Sequence, residues 1–259
     1  MISSFSAHWP YVWLVVASFI AGVMNAMAGG GSFISFPAML SIGVAPIQAN
    51  ATNTVALWPG QLTSVFALRG DLQRDLLPVV CVASVFGGVG GAIVLLNTRQ
   101  ITFLHMVPWL LLVASLLFGL SGPVSRWLRM RSSEPHAEKA VPMLPLFFVL
   151  LPVCFYIGYF GAGSGFLIMS ALALFGVEMH ALNSLKVLAS CLSNFCAVVT
   201  FVLSGAVIWH YCLVSMIFAA VGGYVGALYA RRMNADVLRT IVVVTGCLMA
   251  GYFFWRNGL

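Results

Sequence analysis

The chain has 259 residues, 61% of them apolar and only 7% Asp, Glu, Lys or Arg. Its mean hydropathy is +1.03, whereas a soluble domain is typically about 25% charged, so a water-soluble globule is excluded and a polytopic helical membrane protein is expected. The formal net charge of +6 resides largely in arginines of short loops, which the positive-inside effect accounts for without a nucleic-acid partner.

The first apolar run covers 10–28. No basic stretch precedes Tyr11 to Met27, so a cleaved signal peptide is not expected. The glycine cluster "AGGGS" (Ala28 to Ser32) leads into a short run at 33–44, and longer runs follow at 48–68, 76–96 and 101–120. Next comes the longest polar segment, "SRWLRMRSSEPHAEKAVP", with Arg126, Arg129, Arg131 and Lys139 against Glu134 and Glu138. Its basic excess points to the cytoplasmic side. Runs at 143–160, 166–177, 182–204, 211–230 and 236–256 complete the chain, with "GAGSG" (Gly161 to Gly165) between the first two. Alternating ten-residue strands, the mark of a transmembrane barrel, are not seen. The expected fold is all-α with ten helical segments.

The runs at 33–44 and 166–177 are each roughly 12 residues, or about 18 Å at ~1.5 Å per residue, against about 30 Å of hydrocarbon. Each follows a glycine cluster and reads as the returning arm of a glycine-turned helical hairpin, with three full spans after it. At an offset of 133 residues, "GGSFISFPAMLSIGVAPIQANATN" faces "GSGFLIMSALALFGVEMHALNSLK", pairing Gly30 with Gly163, Phe33 with Phe166, Gly43 with Gly176 and Asn50 with Asn183. A two-residue slip pairs "GGVGGA" (Gly87 to Ala92) with "GGYVGA" (Gly222 to Ala227), where small residues suit close helix packing. The reading is a duplicated unit: a first repeat at 1–128, a basic cytoplasmic connector at 129–139 and a second repeat at 140–259. Three crossings per repeat make the repeats inverted, with both termini away from the cytoplasm. Arg99 alone before the fifth run, against Arg231, Arg232 and Arg239 around the start of the tenth, fits that sense. Inverted repeats with interrupted helices are a secondary-transporter architecture, with the site near the midplane between them.

A helix that starts at a glycine turn leaves its first N–H groups without intrahelical partners and carries positive potential there. The starts at Phe33 and Phe166, with Gly30, Gly31, Gly163 and Gly165 around them and the hydroxyls of Ser32 and Ser164 beside them, are therefore candidate anion sites. Asn50 and Asn183 occupy matching positions near the starts of long helices, where helix capping is the alternative role. Asn53 pairs with Lys186 at the same offset, and Gln61 with Asn194. An ionisable residue within a span is a functional candidate. Lys186 could instead snorkel to the interface or pair with Glu178. Cys81, Cys154, Cys191, Cys196, Cys212 and Cys247 read as small packing residues, and no metal or cofactor is expected from the separated His105, His180 and His210. Trp9, Trp13, Trp109, Trp209 and Trp255 fall mostly near span ends, as an aromatic belt does.

"NAMAGGGSFISFPAML…GVAPIQANATN" resembles the opening of the sulfite exporter TauE/SafE family, and "GYFGAGSGFLIMSALALFGV…ALNSLK" resembles its second repeat. The resemblance spans essentially the whole chain. It implies transport of small sulfur-containing anions, sulfite or organosulfonates, through motifs falling here on Gly29, Gly30, Gly31, Pro37, Gly43, Asn50, Thr52 and Asn53, and on Gly161, Gly163, Gly165 and Gly176. Ser170 stands opposite Pro37, so the two hairpins are not equivalent. No P-loop is present and few carboxylates are available for a coupling ion. An anion leaving an inside-negative cell gains about 2.3 kcal/mol per charge per 100 mV, so export by alternating access across the inner membrane is the favoured mode. An importer or a channel for a related anion are the alternatives. An intramembrane enzyme is disfavoured because no nucleophile–base pair or metal cluster is seen. The expected partners are the anion and the lipid bilayer, with a homo-oligomer left open.

Overall fold

The computed structural model describes residues 2–28, 30–68, 72–131, 141–177, 179–230 and 235–257. Among them are ten α-helices: α1 (Ile2–Ala28), α2 (Ser32–Ser41), α3 (Pro46–Leu68), α4 (Leu77–Asn97), α5 (Gln100–Arg131), α6 (Met143–Tyr159), α7 (Ser164–Leu174), α8 (Met179–Leu203), α9 (Trp209–Ala230) and α10 (Ala235–Asn257), with a 3₁₀ turn at Arg74–Leu76 before α4. No strand occurs among the described residues. The chain is a multi-pass all-α membrane protein, with the segment order read from hydropathy. α1 starts well before residue 10 and α5 continues past residue 128 to Arg131, beyond the end assigned to the first repeat. Apolarity marks where lipid contact ends, while Leu, Arg and Met keep a helix going into the polar zone. Most of the basic connector, 132–139, lies outside the described residues.

The short helices α2 and α7 end in the same way. Gly43 and Gly176 have φ of +89° and +74°, the left-handed conformation that closes a helix and that only glycine adopts without strain. Gly43 N–H bonds to the Leu40 carbonyl (3.1 Å) and Val44 N–H to that of Met39 (3.2 Å). Gly176 N–H bonds likewise to Ala173 (3.0 Å) and Val177 N–H to Leu172 (3.4 Å). Every partner matches at the 133-residue offset. The starts match too, since Phe33 N–H bonds to the Gly30 carbonyl (3.1 Å) and Phe166 N–H to that of Gly163 (3.2 Å). α2 folds back along α1: a methyl group on Gly31 would meet the Ala21 carbonyl and Asn25, while Trp13 Nε1 donates to Ser41 Oγ at the far end (2.9 Å). The hairpins are unequal, however. α1 has 27 residues and α6 has 17, about 40 Å against 26 Å, so α1 is long enough to cross by itself.

Long-range packing exchanges elements between the halves. α1 packs chiefly on α9, and α6 on α4. α3 and α8 lie against α9 and α4 respectively, α3 crosses α8, and α5 crosses α10. Swapping α1–α5 for α6–α10 leaves those pairings unchanged. Gly222 sits on Phe19 and Gly226 on Val23, so α1 and α9 run parallel; Gly87 on Cys154 and Gly91 on Gly158 make α4 and α6 parallel. α5 and α10 run antiparallel, with Gly119 against Val243, Ser115 against Gly246 and the Trp109 ring against Phe254. Glycines make these seams close: a methyl group would fall 2.0 Å from the Phe19 carbonyl oxygen at Gly222, 2.1 Å from that of Phe155 at Gly91, and 2.2 Å from that of Gly88 at Gly158. This is the packing expected for "GGVGGA" and "GGYVGA", where backbone approach replaces the hydrophobic driving force that lipid removes.

Large apolar side chains, among them Phe66, Phe86, Leu144, Phe148, Leu203 and Leu248, cover the outside, and Trp9, Trp13, Trp109, Trp209 and Trp255 are exposed. By length and apolarity α1, α4, α5, α8 and α9 can each cross a bilayer. α3 falls short of that apolarity because it carries Gln48, Asn50, Thr52, Asn53, Thr54 and Gln61, of which Asn50, Thr52 and Asn53 are buried in protein.

Candidate functional site

The first half of the site is built on α2 and α3. Asn53 is buried on α3, and its Nδ2 donates to Ser32 Oγ on the first residue of α2 (3.2 Å). Its Oδ1 accepts from Ser35, one turn further along α2. Ser35 Oγ is also 3.1 Å from the Gly31 carbonyl. Gly30 and Gly31 are buried at the turn, where a methyl group would meet Val242 at 2.8 Å and the Ala21 carbonyl oxygen at 2.4 Å. Phe33 turns away into the core against Gly246 of α10, so only its amide belongs to the helix start.

The second half repeats this contact with different chemistry. Ser32 and Asn53 correspond to Gly165 and Lys186, and the Lys186 stem lies along the start of α7, with its Cδ 3.5 Å from where a Gly165 methyl would sit. Ser35 corresponds to Ile168, which is fully buried. Lys186 is half-buried, while Gly163, Ser164 and Phe166 are buried. Gly161 and Gly163 turn the chain with φ of +76° and +73°. The first turn of α7 holds no acidic residue, nor does that of α2. An ammonium group carried to a helix N-terminus adds to the positive dipole end instead of balancing it. Glu178, the carboxylate expected to compete for Lys186, lies outside the described residues.

The turn between α6 and α7 reaches into the first half. The Phe160 ring stacks edge-on against Phe36 of α2, centroids 5.6 Å apart, and the Tyr159 carbonyl accepts from Asn50 Nδ2 (3.1 Å). Asn194 Nδ2 donates to Gln61 Oε1 (3.0 Å) where α8 crosses α3, and its Oδ1 is 3.5 Å from the methyl position of Gly161. Gln61 and Asn194 are offset partners bonded to each other, and so are Trp58 and Cys191, whose carbonyl accepts from Trp58 Nε1 (3.0 Å). Equivalent residues meet only at a local twofold axis.

The twelve residues proposed from sequence thus divide. Ser32, Asn53, Gly165 and Lys186 make the repeated contact, with Gly30, Gly31, Gly163 and Ser164 in the helix starts beside it. The amides of Phe33 and Phe166, expected to lack partners, instead donate to the Gly30 and Gly163 carbonyls, because each helix opens on a tight i to i+3 turn. Asn50 is tied to the Tyr159 carbonyl and lies one turn inside α3, so it is not a cap. Asn183 is exposed and is not drawn into the cluster. Ser35 was not singled out by sequence, although its spacing of three from Ser32 puts both on one helix face.

An all-helical membrane protein with two polar helix starts between exchanged halves has the build of a transporter. The sulfite exporter TauE/SafE family model matches residues 14–253, and the chain belongs to that family. It is 32% identical over 241 residues to a probable membrane transporter protein, ORF9, of Sinorhizobium sp, covering 92% of this chain and 89% of that one. It is 24% identical to a probable membrane transporter protein of Haemophilus influenzae (95% of this chain, 94% of that one) and 24% identical to the probable membrane transporter protein YfcA of Escherichia coli K12 (94% and 89%). No solved structure matches the chain.

Proposed function

We propose that the chain is a secondary transporter of a small sulfur-containing anion, sulfite or an organosulfonate, which it exports across the inner membrane by alternating access between inverted repeats, with the connector on the cytoplasmic side. The observation that carries this reading is Lys186 lying along the N-terminal turn of α7, two positive features with no acidic residue in that turn. A sulfonate or sulfite group offers several acceptor oxygens to the ammonium group, the Ser164 hydroxyl and the Gly165 amide, while the Ser164 and Phe166 amides donate to the Gly161 and Gly163 carbonyls. The repeated locus at Ser32 and Asn53 supplies uncharged donors from the other half. The antiparallel α5–α10 crossing supports the inverted relation, since equivalent helices run antiparallel only when the axis lies in the membrane plane.

Proteoliposome flux tests the reading. Sulfite, sulfoacetate, taurine and thiosulfate are compared, with counterflow of labelled anion separating a carrier from a pore. Lys186→Met is expected to lower flux of the preferred anion at least 10-fold, the scale of one lost charge-assisted contact. Unchanged flux and saturation in that variant would remove Lys186 from the site.

A further inference from the structure

We infer that Ser35 is a positioning residue of the transport site: its hydroxyl holds the Asn53 carboxamide with N–H groups, not the carbonyl oxygen, turned toward the anion. The inference rests on the function proposed above and extends it to a residue on the far side of Asn53 from the helix start.

A carboxamide has one acceptor oxygen and two N–H donors, and its two ends differ only in the partners they find. Asn53 is 2% exposed and Ser35 is 1% exposed, so water cannot substitute freely for either partner. With Ser35 donating to Oδ1, Nδ2 faces Ser32 Oγ. Ser32 then accepts, its own proton stays free, and the second Nδ2 proton stays free as well. Both belong to the pair at the half-buried start of α2, where only donors are useful to an anion. The reversed amide would put Oδ1 against Ser32, take up that hydroxyl's proton and turn a negative dipole end into the site. Ser35 has one proton and two acceptors in reach, Asn53 Oδ1 and the Gly31 carbonyl, so donating to Asn53 selects the receptive arrangement.

The other repeat supports the assignment. Where Lys186 replaces Asn53, Ile168 replaces Ser35 and Gly165 replaces Ser32. An ammonium group has no acceptor end to orient. The hydroxyl behind it becomes a buried apolar residue, and the hydroxyl in front becomes room for the lysine stem. All three positions change together, as expected if Ser35 serves the amide and not the helix.

The test compares wild type with Ser35→Ala, Ser35→Thr, Asn53→Ala and Ser35→Ala/Asn53→Ala. KM is read from proteoliposome flux, and Kd from anion-dependent thermal shifts of detergent-solubilised protein, which needs no turnover. Ser35→Ala is expected to raise KM and Kd roughly 10-fold, the scale of a hydrogen bond to a charged group, and to lower the ligand-free melting temperature by about 2–12 °C, because the buried amide loses a partner that water does not replace. Ser35→Thr keeps the hydroxyl and restores binding to within about 2-fold of wild type. In the Asn53→Ala background, losing Ser35 has no further effect on Kd. An unchanged Kd in Ser35→Ala, an equal loss in Ser35→Thr, or an additive double variant would each overturn the inference while leaving the transporter reading intact. A wild type that neither binds nor moves any of the four anions would overturn both.

Discussion

Gly158→Ala is the most direct test of how the halves are held together. A methyl group at that position would lie 2.2 Å from the Gly88 carbonyl oxygen and 2.9 Å from both its carbonyl carbon and its Cα. Contact at about 3.4 Å requires α4 and α6 to part by roughly 1.2 Å at the crossing, and a gap of 0.5–1 Å already forfeits a quarter to a half of a dispersion well. The loss extends along the seam, because Gly87 and Gly91 touch α6 on the same face. Overpacking of this kind costs about 1–3 kcal/mol, and a chain of this size loses roughly 2–4 °C of melting temperature per kcal/mol. Thermal melting in mild detergent should fall by about 2–12 °C. Gly251→Ala is the internal comparison, because it lies within α10 with nothing inside 4 Å of a methyl group. There alanine should stabilise by about 0.5–1 kcal/mol through helix propensity alone. If Gly158→Ala melts at or above wild type while Gly251→Ala behaves as expected, the close-packed seam is wrong.

Three further outcomes are expected. Gly43→Ala and Gly176→Ala have open space around them, so their cost isolates the positive φ, at about 1–2 kcal/mol each, and two cases with no loss in melting would refute the shared helix ending. Gln61→Leu and Asn194→Leu should couple by about 0.6 kcal/mol in a double-mutant cycle, and by no more than about 1.7; strict additivity would mean the interhelical bond carries no energy. Ser41 and Leu174 are offset partners and both exposed, so in a cysteine-free background Ser41→Cys and Leu174→Cys should label from opposite faces of sealed cells with a membrane-impermeant thiol reagent. Labelling from one face would exclude inverted repeats.

What the residues disclosed in advance depended on how local its cause was. The match of Gly43 with Gly176 was readable because a left-handed helix end asks for glycine wherever it occurs, and the structure puts the same two hydrogen bonds at each. The offset paired Asn53 with Lys186, and the structure adds that each lies against the start of the short helix in its own half. That offset carries position along a helix but not what covers it. Asn50 is buried under the end of α6, while Asn183 at the equivalent position is exposed. Ser35 was hidden because a lone serine in an apolar run reads as a small packing residue until the amide opposite it is known. The length of α1 was hidden for another reason: hydropathy follows the lipid, and the helix continues where the lipid stops.

The exchange of α4 and α9 between halves bears on biosynthesis and ancestry. α1 leaves the ribosome about 180 residues before α9, the helix on which it chiefly packs. At 5–20 residues per second, that is about 10–40 s during which the face of α1 around Gly22 has only lipid or a chaperone against it. The amino-terminal half made alone would keep α4 without its α6 and α1 without its α9, so it is predicted to persist only when the other half is supplied in the same membrane. A single-repeat ancestor faces the same demand. Two copies of such a repeat would meet it by each lending its fourth helix to the other, in an assembly that depends on concentration where the joined chain does not.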